Sequence, residues 1–497
     1  MLEKLVKQTA VYGISTIAVR FLSYLLTPFY TRVFSREVYG VITDVYALIP
    51  FALVLLTMGM ESGYFRFAAK ADEAGGDVRA AKQRLFRTVW GATTLAALLF
   101  FAAVALFRTQ VSAWLGSELY TTHPEYAVWV AAIVLCDVCS SIPFSRLREQ
   151  GRATTFMGLK AFCATVNVVL AFAFGFAGLY ATRFGVGWVF VANLAASALT
   201  LLLLLRTTDG GAPRIEGRIL RAVLLYSLPL LLSGIAGTAN EFIDRQLIKF
   251  LAPAAAMDQV GLYGAIVKVG MVMALFTQIY RLAAEPFFLA DYKKSDFVRM
   301  NAAALEYFVL VSMVIFLGVT LFKELFALIV GRDFREGMHI LPLVLGANVL
   351  AGVWLNLSFW YKREERTWLA LVVTFTGLLV TVGANLALIP RWGYYGAAWA
   401  RLICEAAMVA VSYRLNSKFY PIPYRTGRMI EYAVVALAFF GISRIAEGLP
   451  LPTAAQYLCK VLLLGGYICY AVRRAKIDVR GLLRSMLRRG GKKGGEA

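Results

Sequence analysis

Long runs of apolar residues, separated by short polar connections, recur from one end of the chain to the other. Each run has about twenty residues, which as a helix is long enough to cross the hydrocarbon core of a bilayer. Backbone N–H and C=O groups in lipid must be satisfied within their own segment, which favours helices. The runs are continuous and do not alternate apolar with polar positions, which excludes a transmembrane β-barrel. The pattern predicts an all-α integral membrane protein with about 14 transmembrane helices, at residues 8–32, 41–66, 88–107, 126–145, 157–180, 187–205, 222–247, 261–289, 303–322, 340–361, 368–389, 396–414, 430–447 and 455–472.

The composition agrees with a membrane protein. Of the 497 residues, 60% are apolar and only 16% are charged, and the mean hydropathy is +0.67. Soluble domains have about a quarter of their residues charged. The net charge of +21 is high enough for a nucleic-acid-binding protein, but the basic residues lie in short connections and in the C-terminal tail. Because no soluble domain carries a basic surface, we expect no nucleic acid partner.

The distribution of lysine and arginine predicts the orientation of the chain. The even-numbered connections and the two termini together hold 33 of the 51 basic residues, whereas the odd-numbered connections hold nine. Cytoplasmic connections are enriched in basic residues. We therefore expect a multi-pass protein of the bacterial inner (plasma) membrane with both termini in the cytoplasm.

The connections between the predicted spans are too short to hold a catalytic domain, since none exceeds about twenty residues. No G-x-x-x-x-G-K-[ST] sequence occurs, which excludes an ATP-driven pump of the P-loop class. Cys136 and Cys139 form a C-x-x-C inside a predicted span, without a second pair or a nearby histidine, and we interpret them as small apolar residues. We expect no enzymatic activity, no metal site and no cofactor.

The two halves of the chain resemble each other. Val38-Tyr39-Gly40 follows the first span and Leu262-Tyr263-Gly264 follows the seventh, and Asn167 in span five corresponds to Asn385 in span eleven. Duplicated halves around a central site are a common plan of transporters. We expect an N-terminal six-helix lobe at 1–205, a C-terminal six-helix lobe at 222–415, a final helix pair at 430–472 and a basic cytoplasmic tail at 473–497.

Basic residues lie inside several predicted spans, where they are costly unless they face a protein interior or a wet cavity. Arg20 lies on the polar face of the first span, Arg245 in the seventh, and Lys268 and Arg281 in the eighth. Arginine and lysine in a partly dry cavity suit a phosphate or pyrophosphate, which arginine can bind through two hydrogen bonds. We therefore interpret these residues as the wall of an anion-binding cavity.

Helical ion pairs are the alternative explanation of these charges. Partners four residues apart on a helix face each other, and three such pairs occur: Glu241 with Arg245, Arg281 with Glu285, and Arg401 with Glu405. Carboxylates within the spans are also candidates for taking up a coupling proton or sodium ion, and the sequence does not choose among Asp44, Glu61, Asp137, Glu241 and Asp244.

One segment carries a family resemblance. Residues 385–400, with the sequence Asn-Leu-Ala-Leu-Ile-Pro-Arg-Trp-Gly-Tyr-Tyr-Gly-Ala-Ala-Trp-Ala, resemble the turn between spans eleven and twelve of polysaccharide exporters and O-antigen flippases. The opening of the chain, with Arg20, Pro28, Arg32 and then Gly40, is similar to the first hairpin of that family. These proteins belong to the multidrug/oligosaccharidyl-lipid/polysaccharide exporter superfamily.

The resemblance implies a V-shaped bundle with the substrate cavity between spans 1–6 and 7–12, and spans 13–14 appended. It implies a flippase for cell-surface polysaccharide, such as the O-antigen of lipopolysaccharide. Such a flippase moves an undecaprenyl-pyrophosphate-linked oligosaccharide from the cytoplasmic to the periplasmic leaflet by alternating access. The implied partners are this polyprenyl pyrophosphate, membrane lipid, and sugar polymerase or glycosyltransferase proteins.

The resemblance also implies site residues and leaves two alternative functions. Related lipid II flippases bind pyrophosphate with arginines of spans one, two and eight, which by span are Arg20, Arg66 and Arg281 here. The Arg–Glu pair of their first hairpin is not evident, which lowers the lipid II alternative without excluding it. A multidrug or cation antiporter of the same fold is the other alternative, and its cavity should be acidic or aromatic.

Overall fold

The computed structural model describes residues 22, 24–75, 77–208, 211–288, 294–364, 366, 368–450 and 452–475. These residues form helices joined by short turns and contain no β-strand. The prediction of an all-α fold is confirmed. Arg20, most of the first predicted span and the tail beyond residue 475 lie outside the described residues.

The helices follow one another closely in the described part of the chain. They are α1 (Leu26–Val33), α2 (Arg36–Thr57), α3 (Met60–Ala74), α4 (Val78–Leu106), α5 (Arg108–Trp114), α6 (Glu118–Thr122), α7 (Glu125–Glu149), α8 (Ala153–Phe176), α9 (Gly187–Thr207), α10 (Gly217–Leu251), α11 (Ala256–Val269), α12 (Met271–Phe288), α13 (Lys294–Leu321), α14 (Lys323–Ala327), α15 (Leu341–Leu357), α16 (Phe359–Arg363), α17 (Trp368–Trp392), α18 (Tyr394–Phe419), α19 (Thr426–Glu447) and α20 (Thr453–Arg474). Short 3₁₀ segments at Leu179–Ala181 and Arg332–Ile340 precede α9 and α15.

Within the described residues, eleven helical segments are long and apolar enough to cross a membrane. The pair α11 and α12, bent by 48°, makes a twelfth if it forms one span. Two predicted spans are not in this count. The first lies mostly outside the described residues, and the span at 396–414 belongs to α18, whose Arg401 and Glu405 lower its hydropathy.

Local sequence signals explain where α2 begins and ends. The Ser35 side chain accepts a hydrogen bond from the Val38 N–H at 3.4 Å, and Glu37 lies in the first turn, where a carboxylate is favourable. The helix ends at Met58 and Gly59, both in the left-handed region with φ of 51° and 67°. Glycine adopts that region without steric cost. The second predicted span is therefore two helices, α2 and α3, joined by a tight turn.

Contacts divide the chain into two compact units. Unit 1 comprises Met1–Asp291 and Ala327–Tyr420, and unit 2 comprises Tyr292–Phe326 and Pro421–Ala497. In unit 2, α13 packs against both α19 and α20. The division into two six-helix lobes and a final pair stays a prediction.

In unit 1, helix α2 packs against α10 and α11. Gly40 of one repeated segment and Gly261, which directly precedes the other segment, lie at the crossing of α2 with α11. A Cβ on Gly40 would overlap the carbonyl oxygen of Met257, and a Cβ on Gly261 would overlap that of Arg36. The backbones of the two helices therefore touch, and this contact brings the two halves of the sequence repeat together beside the site.

Candidate functional site

A cavity of about 370 Å³, here the central cavity, lies in unit 1 between α2, α10, α11 and α15. Its walls include Tyr39 and Tyr46 from α2 and Asn348 from α15. Three basic and two acidic side chains also line it: Arg245, Lys268, Arg401, Glu241 and Asp244. The cavity is therefore polar and charged although its helices carry membrane-spanning runs.

A second cavity, the N-terminal cavity, has a volume of about 530 Å³ and is lined by α1, α2, α3, α7, α8 and α9. It shares Tyr39, Tyr46 and Lys268 with the central cavity, so the two adjoin. Hydroxyl and amide groups are frequent on its wall: Thr27, Tyr30, Ser140, Ser141, Asn167, Asn193, Ser197 and Thr200. Such groups can form hydrogen bonds with many arrangements of donors and acceptors.

A third cavity, the C-terminal cavity, has a volume of about 420 Å³ and is lined by α10, α12, α15, α17 and α18. It shares Glu241 and Arg401 with the central cavity. Arg281 and Glu405 also face it. The three cavities thus form a row, with the central cavity in the middle.

The structure places the five predicted cationic residues differently. Arg245 lines the central cavity, Lys268 lines the central and N-terminal cavities, and Arg281 lines the C-terminal cavity. Arg66 is exposed on α3 and lines none of the three cavities. Arg20 lies outside the described residues. The fold therefore brings three of the five onto adjoining walls, and their role in substrate binding stays a prediction.

One of the three helical ion pairs that the sequence suggests forms as expected. Arg401 Nη2 lies 2.9 Å from Glu405 Oε1 on α18. Arg401 also donates through Nη1 to the backbone carbonyl oxygen of Asn240 on α10, at 2.7 Å. This arginine consequently joins two helices of the C-terminal half.

The other two pairs do not form. Arg245 donates to the backbone carbonyl oxygen of Glu241 at 2.9 Å and not to its carboxylate. Glu285 pairs instead with Lys362, at 2.6 Å, because α16 brings that lysine to it. Among the described residues, no carboxylate lies within 4.0 Å of the guanidinium of Arg245 or Arg281. Within that part of the chain, two arginines on the cavity walls thus form no salt bridge.

Asp44 is fully buried in an ion pair and a hydrogen-bond network. Its carboxylate lies 2.9 Å from Lys249 Nζ and accepts a hydrogen bond from the Tyr120 hydroxyl at 2.8 Å. The side-chain amide of Gln246 donates to its other oxygen. Asp44 therefore joins α2 to α10 and α6, and its role in ion coupling stays a prediction.

Asp244 is also buried, at the wall of the central cavity. It accepts hydrogen bonds from the Tyr263 hydroxyl at 3.0 Å and from the Asn385 amide at 2.9 Å. Asn385 is itself fully buried and donates a second hydrogen bond to the carbonyl oxygen of Thr381 at 2.8 Å. The first residue of the segment that carries the family resemblance thus positions a carboxylate of α10.

The remaining predicted carboxylates lie on cavity walls. Glu61 and Asp137 line the N-terminal cavity, and Glu241 lines the central and C-terminal cavities. Glu61 pairs with Arg148 at 3.2 Å. Their role in ion coupling stays a prediction.

Sequence reasoning missed several residues that the structure places at or beside the site. The predicted span at 222–247 leaves Lys249 in the following connection, but α10 continues to Leu251 and buries it against Asp44. Glu241, Arg245 and Lys249 follow one another at intervals of four residues, which places them on the same face of a helix. This spacing could have identified Lys249 from the sequence. Arg148 and Lys160 lie on the wall of the N-terminal cavity and near the ends of predicted spans. Basic residues are common at cytoplasmic span ends, so the sequence does not show which of them face a cavity.

The profile of one protein family, described as polysaccharide biosynthesis protein, matches residues 5–289 of the chain. Comparison with curated protein sequences gives no match.

Solved structures share the fold at low sequence identity. The lipid II flippase MurJ in an inward closed conformation is similar with a TM-score of 0.72 and 12% identity, over 94% of this chain and 100% of that chain. An inward-facing MATE family multidrug resistance transporter of the MOP superfamily has a TM-score of 0.61 and 16% identity, over 82% and 94% of the two chains. The MATE multidrug transporter DinF-BH has a TM-score of 0.62 and 15% identity, over 84% and 96%.

Proposed function

We propose that this chain, which belongs to the polysaccharide biosynthesis protein family, is a flippase that moves an undecaprenyl-pyrophosphate-linked oligosaccharide across the bacterial inner membrane by alternating access. The family and the fold are those of membrane flippases and transporters, and not of catalytic enzymes. We place both termini in the cytoplasm on the distribution of basic residues. We assign transport from the cytoplasmic to the periplasmic leaflet on the family resemblance of residues 385–400. The product would serve cell-surface polysaccharide such as O-antigen, with a sugar polymerase or glycosyltransferases as partners.

The observation that carries the proposal is a pair of cavity arginines that form no salt bridge among the described residues. Arg245 and Arg281 line adjoining cavities and have no carboxylate within 4.0 Å among the described residues. A guanidinium inside a membrane protein is costly unless an anion or water accompanies it. A pyrophosphate bound through paired hydrogen bonds would supply the missing charge. Lys268, between the central and N-terminal cavities, would add a third cation.

The row of cavities also suits a substrate with a polar, uncharged part. The wall of the N-terminal cavity carries many hydroxyl and amide groups. Sugar hydroxyls both donate and accept hydrogen bonds, and such side chains can do the same. We assign the anionic headgroup to the adjoining central and C-terminal cavities, which Arg245 and Arg281 line, and the sugars to the N-terminal cavity.

Flipping in proteoliposomes tests the proposal. A fluorescent oligosaccharide linked to undecaprenyl pyrophosphate is added to vesicles that contain the full chain, and its transfer between leaflets is followed. We expect Arg245→Ala and Arg281→Ala each to lose a hydrogen bond to a charged group, which costs about 1.5–3 kcal/mol. That cost corresponds to roughly tenfold to a hundredfold weaker binding, with the protein still inserted.

Arg414→Ala is the matched control, because Arg414 is exposed on α18 and lines none of the three cavities. It should flip the substrate at the wild-type rate. Equal flipping by wild type, Arg245→Ala and Arg281→Ala would reject the cationic-cavity mechanism. Lipid II, tested as a second substrate in the same vesicles, separates a lipid II flippase from an oligosaccharide flippase by their relative rates.

A multidrug antiporter is the second candidate, and one observation favours it. Asp137 and Glu241 line the cavities without a basic side chain within 4.0 Å among the described residues, so each could attract an organic cation. Proton- or sodium-driven efflux of a cationic dye from the same vesicles would support this function. Dye retention together with glycolipid flipping would exclude it.

A further inference from the structure

An apolar groove of about 550 Å³ lies beside the central cavity, between α2, α7 and α10 and bordered by the short helices α5 and α6. Aliphatic and aromatic side chains form its wall, among them Leu48, Ala52, Val130 and Val134. The groove belongs to neither the N-terminal nor the C-terminal cavity. It lies on the side of unit 1 where α2 meets α10.

Three of the side chains that line the groove direct their polar ends to protein partners. The Tyr120 hydroxyl and the Gln246 amide donate to Asp44, and the Tyr126 hydroxyl donates to the Phe184 carbonyl oxygen at 2.8 Å. Because these polar groups are bonded to other parts of the protein, the surface of the groove is apolar. Such a surface fits a hydrocarbon chain and not a sugar or a phosphate.

The groove adjoins the central cavity through one aromatic pair. Phe242 lines both spaces, and its ring lies 4.6 Å from that of Phe51, which lines the groove. The Phe242 side chain therefore borders an apolar space and a cationic space. A molecule that fits both at once has a hydrocarbon chain attached to an anionic group.

The outer rim of the groove is open. Leu55, Trp114 and Phe250 are 40%, 69% and 54% exposed although they are large and apolar. Leu55 on α2 and Phe250 on α10 belong to helices of membrane-spanning length, and such side chains face the hydrocarbon of the bilayer. A lipid chain could therefore enter the groove from the side without crossing water.

We propose that this groove binds the isoprenoid chain of the lipid whose pyrophosphate occupies the central cavity. The inference rests on the proposed function and specifies where the lipid part of the substrate lies. An isoprenoid chain that moves from the bilayer into the groove passes from one apolar medium to another. The hydrophobic effect therefore does not hold it in the groove, and side-chain packing does. For that reason, the site at which the isoprenoid chain binds tests the proposal better than its binding affinity does.

The test is photolabelling of the full-length protein in nanodiscs with undecaprenyl pyrophosphate that carries a diazirine on its chain. We expect attachment within α2 and α7 at groove residues such as Leu48, Ala52 and Val130. Excess unlabelled undecaprenyl pyrophosphate should displace it, and excess phosphatidylglycerol should not. Ala52→Trp fills the groove, and overpacking at such a site excludes a ligand, so labelling should fall by roughly fivefold or more.

Ala103→Trp is the matched control, because Ala103 is exposed on α4 and does not line the groove; its labelling should equal that of wild type. Val130→Trp fills the opposite wall and replaces Ala52→Trp if that variant fails to accumulate. Binding of inorganic pyrophosphate, measured by calorimetry, should be unchanged in either groove variant. Displaceable labelling elsewhere on the protein, or displacement by phosphatidylglycerol, would overturn the groove assignment while pyrophosphate binding persists. Loss of displaceable labelling everywhere, together with no pyrophosphate binding by wild type, would instead reject the proposed function.

Discussion

Asp44 and Lys249 show how a residue pair can tie together the two halves of the sequence repeat. Their side chains are 0% and 1% exposed, and 2.9 Å separates the carboxylate oxygen from the ammonium nitrogen. Moving either charge alone into the interior costs several kcal/mol, and its partner offsets that cost. Because the pair joins α2 to α10, it stabilises the contact of these helices only while both groups are charged.

We expect Asp44→Asn to destabilise the protein, since it leaves the Lys249 ammonium buried without a counter-ion. Breaking a buried pair in this way costs about 3–5 kcal/mol, which thermal unfolding of the purified protein in detergent measures. The double variant Asp44→Asn with Lys249→Gln removes both charges and should recover most of the lost stability. An unfolding temperature for Asp44→Asn equal to that of wild type would contradict a stabilising role of the pair.

At the scale of secondary-structure elements, the contact of α2 with α11 depends on the absence of side chains. Gly40 and Gly261 each face a backbone carbonyl oxygen of the other helix, at a distance that leaves no room for a Cβ. A backbone carbonyl in a helix cannot rotate away as a side chain can. The two helices can approach this closely only with glycine at both positions.

Gly40→Ala and Gly261→Ala should therefore separate α2 from α11. Overpacking of this kind costs about 1–3 kcal/mol, to be measured as a lower unfolding temperature. Gly158→Ala is the control, because nothing lies within 4 Å of a Cβ at that exposed helical position. It should be neutral or stabilise the protein by about 0.5–1 kcal/mol. Equal unfolding temperatures of the three variants would show that the contact of α2 with α11 tolerates a methyl group.

At the scale of the whole molecule, unit 2 is held by its own charged network. The Glu306 carboxylate on α13 is 7% exposed and lies 3.2 Å from Arg425 and 3.3 Å from Arg428, at the start of α19. The Tyr432 hydroxyl also donates to it, at 3.4 Å. All four residues belong to unit 2, whereas the three cavities and the groove are lined by unit 1. Substitutions in this network of unit 2 should for this reason change stability without changing substrate binding.

The double variant Arg425→Gln with Arg428→Gln should leave the buried Glu306 carboxylate without a cation. We expect a loss of about 3 kcal/mol, seen in thermal unfolding, while inorganic pyrophosphate still binds with wild-type affinity. Adding Glu306→Gln removes the buried charge and should restore most of the stability. Loss of both pyrophosphate binding and stability in this variant would contradict the assignment of stability to the unit 2 network and of substrate binding to unit 1.

Much of the architecture was predictable from the chain alone, and the site only in part. The prediction that basic residues of spans seven and eight lie on cavity walls agrees with the positions of Arg245, Lys268 and Arg281. Arg66 was chosen by its span and lies away from the cavities. The pair Arg281–Glu285 satisfied the helical spacing rule, yet Glu285 contacts Lys362 because a neighbouring helix supplies a nearer cation.

The sequence by itself determined the helical class and nearly all of the spans. These properties follow from the thickness of the hydrocarbon core and from backbone hydrogen bonds that each segment must form alone. The tertiary structure decided which charges meet, as in Asp44 with Lys249, 205 residues apart, and Asp244 with Asn385, 141 residues apart. Such pairs depend on how each helix is rotated about its own axis against its neighbours, and packing across the bundle sets that rotation.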